Sequence, residues 1–274
     1  MVTRKVLIKY GGNAMTKQSL KYEIAKKVKE LQEHGIQVVL VHGGGPFINK
    51  ALESAGIASQ FYDGQRHTTE EALSHIEKTL KGEVNSSLVG VFNQAGLSAV
   101  GLSGKDGQMV TAVKRWHYSR DNGGKVQKID LGQVGDVKKV DCSLLRILLD
   151  RNYIPIITCI ASDLKGDDYN INADVFAGKV ASALQVDDYI VLTDVDGVFE
   201  NYPDPKSILK EIHFNELDQY YNKGIQGGMI PKIESCKTAL QGGVKRAIIL
   251  NGTQPEQIIK YILGKEKIGT TITK

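Results

Sequence analysis

The residues that carry chemistry in this sequence sit at the ends of apolar runs. Lys9 follows Val6-Leu7-Ile8 and precedes Tyr10-Gly11-Gly12-Asn13. A lysine there either snorkels from a strand end above a glycine turn or offers its ammonium to a ligand lying on bare peptide. His42-Gly43-Gly44-Gly45-Pro46 follows the run 38–41. Three glycines ahead of a proline-opened helix leave backbone N–H groups free to hold an anion, whereas a plain turn needs only one glycine. In Gly227-Gly228-Met229-Ile230-Pro231-Lys232, Pro231 reads as the first helical position. Lys232 then falls in the first turn, where the helix dipole disfavours a cation, and a lysine in that place asks for a compensating anion.

Two further segments are more open. Arg66, within Asp63-Gly64-Gln65-Arg66-His67-Thr68-Thr69, is either a surface ion pair or a planar fork that grips a carboxylate. In Asn170-Ile171-Asn172-Ala173-Asp174, Asn172 suits a helix N-cap and Asp174 a first turn, which leaves Asn170 free to face a ligand. Thr193-Asp194-Val195-Asp196-Gly197 resembles the start of a calcium loop but lacks its spacing and closing glutamate. The chain has no GxxxxGK[ST], GxGxxG, DFG, HRD or HExxH, so any phosphate must be held by another cradle.

Strands and helices that would place these residues alternate along the chain. Strands are expected at 6–8, 38–41, 98–102, 154–159, 189–193, 247–250 and 269–272. Helices are expected at 19–35, 46–55, 70–95, 143–151, 173–184, 231–241 and 254–263. The first helix carries Leu20, Ile24, Val28 and Leu31 on one stripe and ends at Gly35 as a C′ residue. The unbroken run Val38-Val39-Leu40-Val41 implies a strand covered on both faces. Residues 108–140 read as irregular hairpins over the main sheet. The expected fold is α/β, a three-layer α/β/α sandwich around a mainly parallel open sheet, with any two lobes sharing that sheet. Ligands then belong at the carboxyl ends of the strands, where the residues above stand.

Composition sets the class. The chain has 274 residues, 41% hydrophobic and 24% charged, which excludes wholesale disorder. The net charge of +4 comes from 35 basic and 31 acidic residues interspersed along the chain, so no nucleic-acid partner is expected. The longest apolar stretch, 153–161, falls far short of the roughly 18 residues of a membrane span, and no secretory signal opens the chain. Cys142, Cys159 and Cys236 read as buried thiols of a cytoplasmic protein.

Together, Lys9-Tyr10-Gly11-Gly12, Val41-His42-Gly43-Gly44-Gly45-Pro46, Gly64-Gln65-Arg66, Asn170-Ile171-Asn172-Ala173-Asp174, Thr193-Asp194-Val195-Asp196-Gly197 and Gly227-Gly228-Met229-Ile230-Pro231-Lys232 resemble the amino acid kinase family. The likeness runs from Lys5 to about Thr271. It implies a single amino acid kinase domain over 1–274, with an N-terminal lobe (about 1–180) for the amino-acid substrate and dimer contacts and a C-terminal lobe (about 181–274) for the nucleotide. The implied reaction is ATP-dependent phosphorylation of the side-chain carboxylate of N-acetyl-L-glutamate, in arginine biosynthesis, with Mg2+ carried on the phosphates. Lys9 and Lys232 would stabilise the transferring phosphoryl group and Asp174 would hold them. Gly44, Gly45, Arg66 and Asn170 would bind the acetylated amino acid. The nucleotide would lie against Gly11, Gly12, Asp194, Val195, Asp196, Gly197, Val198, Phe199, Gly227, Gly228 and Met229.

The resemblance also implies a homodimer insensitive to arginine, because the N-terminal helix of arginine-inhibited relatives is missing. Alternatives are a kinase for carrier-protein-linked aminoadipate and a non-catalytic amino-acid sensor on the same scaffold. His67-Thr68-Thr69 and Ala161-Ser162 depart from the common family pattern, the former close to the expected substrate contacts.

Overall fold

The computed structural model describes residues 3–62, 64–120 and 126–274. Its spine is a sheet of eight strands, in the order Glu211–His213, Thr270–Thr273, Arg246–Asn251, Asp188–Thr193, Lys5–Tyr10, Gln37–His42, Ile154–Thr158 and Ala99–Ser103. Neighbours run parallel, except that Thr270–Thr273 lies antiparallel to Arg246–Asn251. Lys5–Tyr10 is central. Strands from the first part of the chain extend to one side of it and strands from Asp188 onward to the other.

Side chains alternate between the two faces, as the period of two requires. Val6, Ile8 and Tyr10 pack with Ile24, Val28 and Leu31 of the helix Gln18–Glu33 and with Leu88 and Phe92. Leu7, Val39 and Val41 turn the other way, onto Phe176, Val180, Ile233 and Leu240. Those last four belong to the helices Ala173–Leu184 and Met229–Gln241. Lys9 shares the face of Leu7, so the alternation itself aims it at these two helices. The result is the expected three-layer sandwich, and all three cysteines are buried free thiols.

Three local departures have physical causes. The helix expected at 70–95 is one rod, Glu70–Glu77, Lys78–Asn85 and Ser86–Gln94, but its middle stretch is wound as a wider π-helix. Within 108–140, Val110–Arg120 pairs antiparallel with Val126–Val140, with register slips after Thr111 and Lys114. With the short strands Ile160–Ser162 and Asp168–Ile171 this pair closes a four-stranded barrel. Gly132 lets this barrel touch the head of the long helix: its φ is +73°, and a Cβ there would collide with the carbonyl of Thr68. Finally, the last large helix begins at Met229, so Pro231 is its third residue rather than its first. The first four helical N–H groups have no intrahelical partner, so proline is tolerated there too.

Candidate active site

The carboxylate of Asp174 joins two lysines. Lys9 Nζ lies 2.8 Å from Asp174 Oδ1, and Lys232 Nζ lies 3.5 Å from Oδ2. Each arrives by a different route. Lys9 is the next-to-last residue of the central strand and folds over Gly11, where a Cβ would stand 2.9 Å from the ammonium. Asp174 sits in the first turn of its helix. The Asn172 side chain caps that turn, accepting from the N–H groups of Asp174 (2.9 Å) and Val175 (3.2 Å). Lys232 is the fourth residue of its own helix and also donates to the Gly228 carbonyl at 3.3 Å. The two helices meet without a side chain between them, since a Cβ at Gly178 would lie 2.6 Å from the Ser235 carbonyl oxygen. Ser235 Oγ in turn donates to the Lys232 carbonyl at 2.7 Å and lies 3.0 Å from the Tyr189 hydroxyl.

Burial pushes the Asp174 carboxyl up, but Lys9 and then Lys232 outweigh it and hold the group below the usual carboxylate range. Burial, and next the charge of Lys9, pull Lys232 down, while Asp174 and Asp194 oppose them. Two ammonium groups share one buried carboxylate, so these three residues together carry one excess positive charge, with Asp194 acting on Lys232 from the exposed side. Such a cluster favours a further anion.

The glycine nest abuts this cluster. A Cβ on Gly43 would stand 3.1 Å from Ala173 Cβ, and one on Gly44 would stand 2.6 Å from Leu80 Cδ2. Gly44 is the N-cap of the helix Gly45–Ser54. Among the described residues, the N–H groups of Gly44 and Gly45 find no backbone acceptor. Arg66 belongs to a short hairpin, Phe61–Tyr62 with Gln65–Arg66, and lies over the Phe61 ring at 4.6 Å. Its Nη1 donates to Ser59 Oγ and its Nη2 to Asn49 Oδ1, tying it to the helix that the nest opens. Among the described residues, these two bonds engage two of its five N–H donors. Asn170 lies half-buried in the barrel, paired with Val134 and Ile160. Asp63, which opens the Arg66 motif, lies outside the described residues.

Across the central strand stand the other sequence candidates. Gly12 has φ +68° and starts a helical turn. Asp194 and Asp196 are exposed and Val195 is half-buried. Asp196 accepts from Asn251 Nδ2 at 2.7 Å and from Gln254 Nε2 at 3.3 Å. Gly197 packs on Thr270, whose hydroxyl accepts from the Val198 N–H at 2.8 Å. Val198 and Phe199 are buried in the core, and the Val198 carbonyl accepts from the Leu209 N–H at 2.8 Å. Gly227 and Gly228 are exposed ahead of the half-buried Met229.

Thus Lys9 and Lys232 meet through Asp174, Gly11 packs against Lys9, and Gly43 packs against Ala173 beside Asp174. Sequence reasoning missed Asn85 and Asn251, both buried side chains that brace strand ends. Neither stands in a telltale motif. Among the described residues, no group of three or more His, Cys, Asp or Glu is arranged to hold a metal ion, and no helix is long and apolar enough to cross a membrane. Two recesses of about 390 and 330 Å³, beside Gln37 and Arg246, lie at the opposite end of the strands from this chemistry.

Known proteins resemble this chain over nearly its whole length. The sequence profile of the amino acid kinase family matches residues 4–251. The acetylglutamate kinase of Methanococcus aeolicus is 42% identical over 272 residues, covering 99% of this chain and 92% of that protein. Among solved structures, smu.665 from Streptococcus mutans superposes with a TM-score of 0.78 at 30% identity, over 98% of both chains. N-acetylglutamate synthase from Neisseria gonorrhoeae, complexed with coenzyme A and N-acetyl-glutamate, reaches a TM-score of 0.82 at 24% identity. This chain spans 60% of that longer protein, and the likeness speaks for the fold alone.

Proposed function

This chain belongs to the amino acid kinase family, and we propose that it transfers the terminal phosphoryl group of ATP to the side-chain carboxylate of N-acetyl-L-glutamate, giving N-acetyl-L-glutamyl 5-phosphate. The observation that carries this reading is the Lys9–Asp174–Lys232 bridge beside a glycine nest. A glutamate-type carboxyl has a reference pKa of about 4.3, so the acceptor is already ionised at neutral pH and needs no general base. The difficulty is to bring this anion up to a polyphosphate. Lys9 and Lys232 meet the charge on the transferring group, and Asp174 fixes both ammonium groups before substrate arrives, as phosphoryl transfer requires. Mg2+ enters on the nucleotide phosphates.

In this reading, Gly44, Gly45, Arg66 and Asn170 hold acetylglutamate on the side of the sheet built from the first part of the chain. ATP lies across the central strand, along Gly11, Gly12, the segment 194–199 and Gly227, Gly228 and Met229. The exposure of Asp194, Gly227 and Gly228 supports that placement. We also place the enzyme in the cytoplasm, in arginine biosynthesis, as a homodimer. Sedimentation of the purified chain tests the dimer, and a monomer at micromolar concentration would count against it.

The test of the reaction is to incubate protein with ATP, Mg2+ and acetylglutamate and trap the acyl phosphate as a hydroxamate. Hydroxamate from glutamate or from a carrier-linked acid, with none from acetylglutamate, would overturn the substrate assignment. Arg66→Ala should raise KM for acetylglutamate at least roughly tenfold with a smaller change in kcat, because a guanidinium–carboxylate contact acts on ground and transition states alike. A loss confined to the KM for ATP would contradict that role.

A further inference from the structure

His42 takes no part in the steps above and Asn85 belongs to no motif, yet they form a buried polar link beneath the nest. His42 ends the second strand, fully buried, with Nδ1 2.8 Å from the Gly43 carbonyl oxygen and Nε2 2.9 Å from Asn85 Nδ2. Asn85 Nδ2 also reaches the Ile156 carbonyl oxygen at 2.9 Å. A carbonyl only accepts, so the Asn85 atom facing Ile156 is the amide NH2, and its second hydrogen goes to the imidazole. Nε2 is therefore the bare nitrogen, and the proton on Nδ1 donates to Gly43. Burial, the largest influence, with smaller ones from Lys81 and Lys21, lowers the ring's pKa to about 4, so it is neutral at pH 7.

The consequence falls on the next peptide. In a trans peptide the C=O and N–H point in opposite directions. Drawing the Gly43 oxygen onto the imidazole turns the Gly44 N–H away from the ring. Two features are built around the link. Asn85 closes the π-wound stretch Lys78–Asn85, a form often found at functional sites. Gly101 on the edge strand leaves it room, since a Cβ there would collide with Asn85 Oδ1. The same winding sets Leu80 against Gly44.

We propose that His42 and Asn85 are positioning residues for acceptor binding: the Asn85-held tautomer locks the Gly43–Gly44 peptide so that the Gly44 N–H is presented to the substrate carboxylate. This rests on the reading of Gly44 and Gly45 as the acetylglutamate cradle. The test compares His42→Asn, whose amide NH2 can replace Nδ1–H, with His42→Gln, which replaces the Nε2 acceptor but leaves Gly43 without a donor.

His42→Gln should raise KM for acetylglutamate roughly tenfold or more while KM for ATP stays within about twofold, and His42→Asn should lie several-fold nearer the parent enzyme. Stability should rank the other way, because Gln fills the buried space better than Asn. Activity that follows the melting temperatures, or a loss on the ATP side, would overturn the proposal. Nitrogen chemical shifts of the parent protein at neutral pH read the tautomer without any activity, even if neither variant folds. An Nε2–H ring overturns this proposal alone. Absence of acetylglutamate turnover by the parent protein overturns the functional reading, and the ligand named here with it.

Discussion

Lys232→Ala should lower kcat by roughly 10²–10³ while moving the melting temperature by no more than about 2 °C. The asymmetry follows from where Lys232 stands. It is a cation in the first turn of a helix, where the macrodipole opposes it, and burial disfavours its charge further. Its two contacts in the free protein are long, 3.5 Å to Asp174 and 3.3 Å to Gly228. Asp174 keeps its closer partner, Lys9, when Lys232 is removed. Alanine also has the better helix propensity. The folded chain therefore loses little. What is lost is a positive charge poised for negative charge that develops only during transfer, so kcat and kcat/KM should fall together. Steady-state kinetics beside a thermal melt checks both halves. An unchanged turnover number would remove Lys232 from the site.

That lysine also shows what a sequence makes legible. Its position is odd within a single turn of helix, and local oddity can be read without a fold. Likewise the run 38–41, apolar throughout, announced a strand with both faces covered, and Gly35, with φ +74°, closes the first helix where expected. Convergence is a different matter. Lys232 and Asp174 are 58 residues apart, and no spacing rule brings them to one carboxylate. Their meeting depends on the period-two alternation that turns Lys9 to one face and on Gly178, which lets two helix backbones touch over Ser235. Asn85 is more hidden still. It lies in an ordinary helical pattern, and only tertiary contacts, with His42 and Ile156, distinguish its wider winding. The strands Ile160–Ser162 and Asp168–Ile171 are too short for alternation to show, and so 108–140 reads only as irregular hairpins and the barrel stays hidden.

Asp174→Asn should separate binding from turnover. Asparagine keeps the shape and removes the charge, which leaves Lys9, with its side chain 7% exposed, facing Lys232 without an anion between them. Removing one partner of a buried pair costs about 3–5 kcal/mol, so the free variant should melt roughly 6 °C or more below the parent. MgATP supplies negative charge to the same ammonium groups, and its stabilising shift should be larger in the variant than in the parent. Turnover should nevertheless fall by roughly 10² or more, because the ammonium groups are no longer held in place before the phosphoryl group moves. The pH dependence has a definite sign. The Asp174 carboxyl is held below its ordinary value of 3.8, so its ionised form stabilises the fold above that value and the contribution fades as pH falls through the folded-state pKa. The gap in melting temperature between parent and variant should thus be widest near neutrality and narrow on acidification below 3.8. A gap that does not change with pH, or a variant that turns over normally, would show that this carboxylate does not restrain the two lysines.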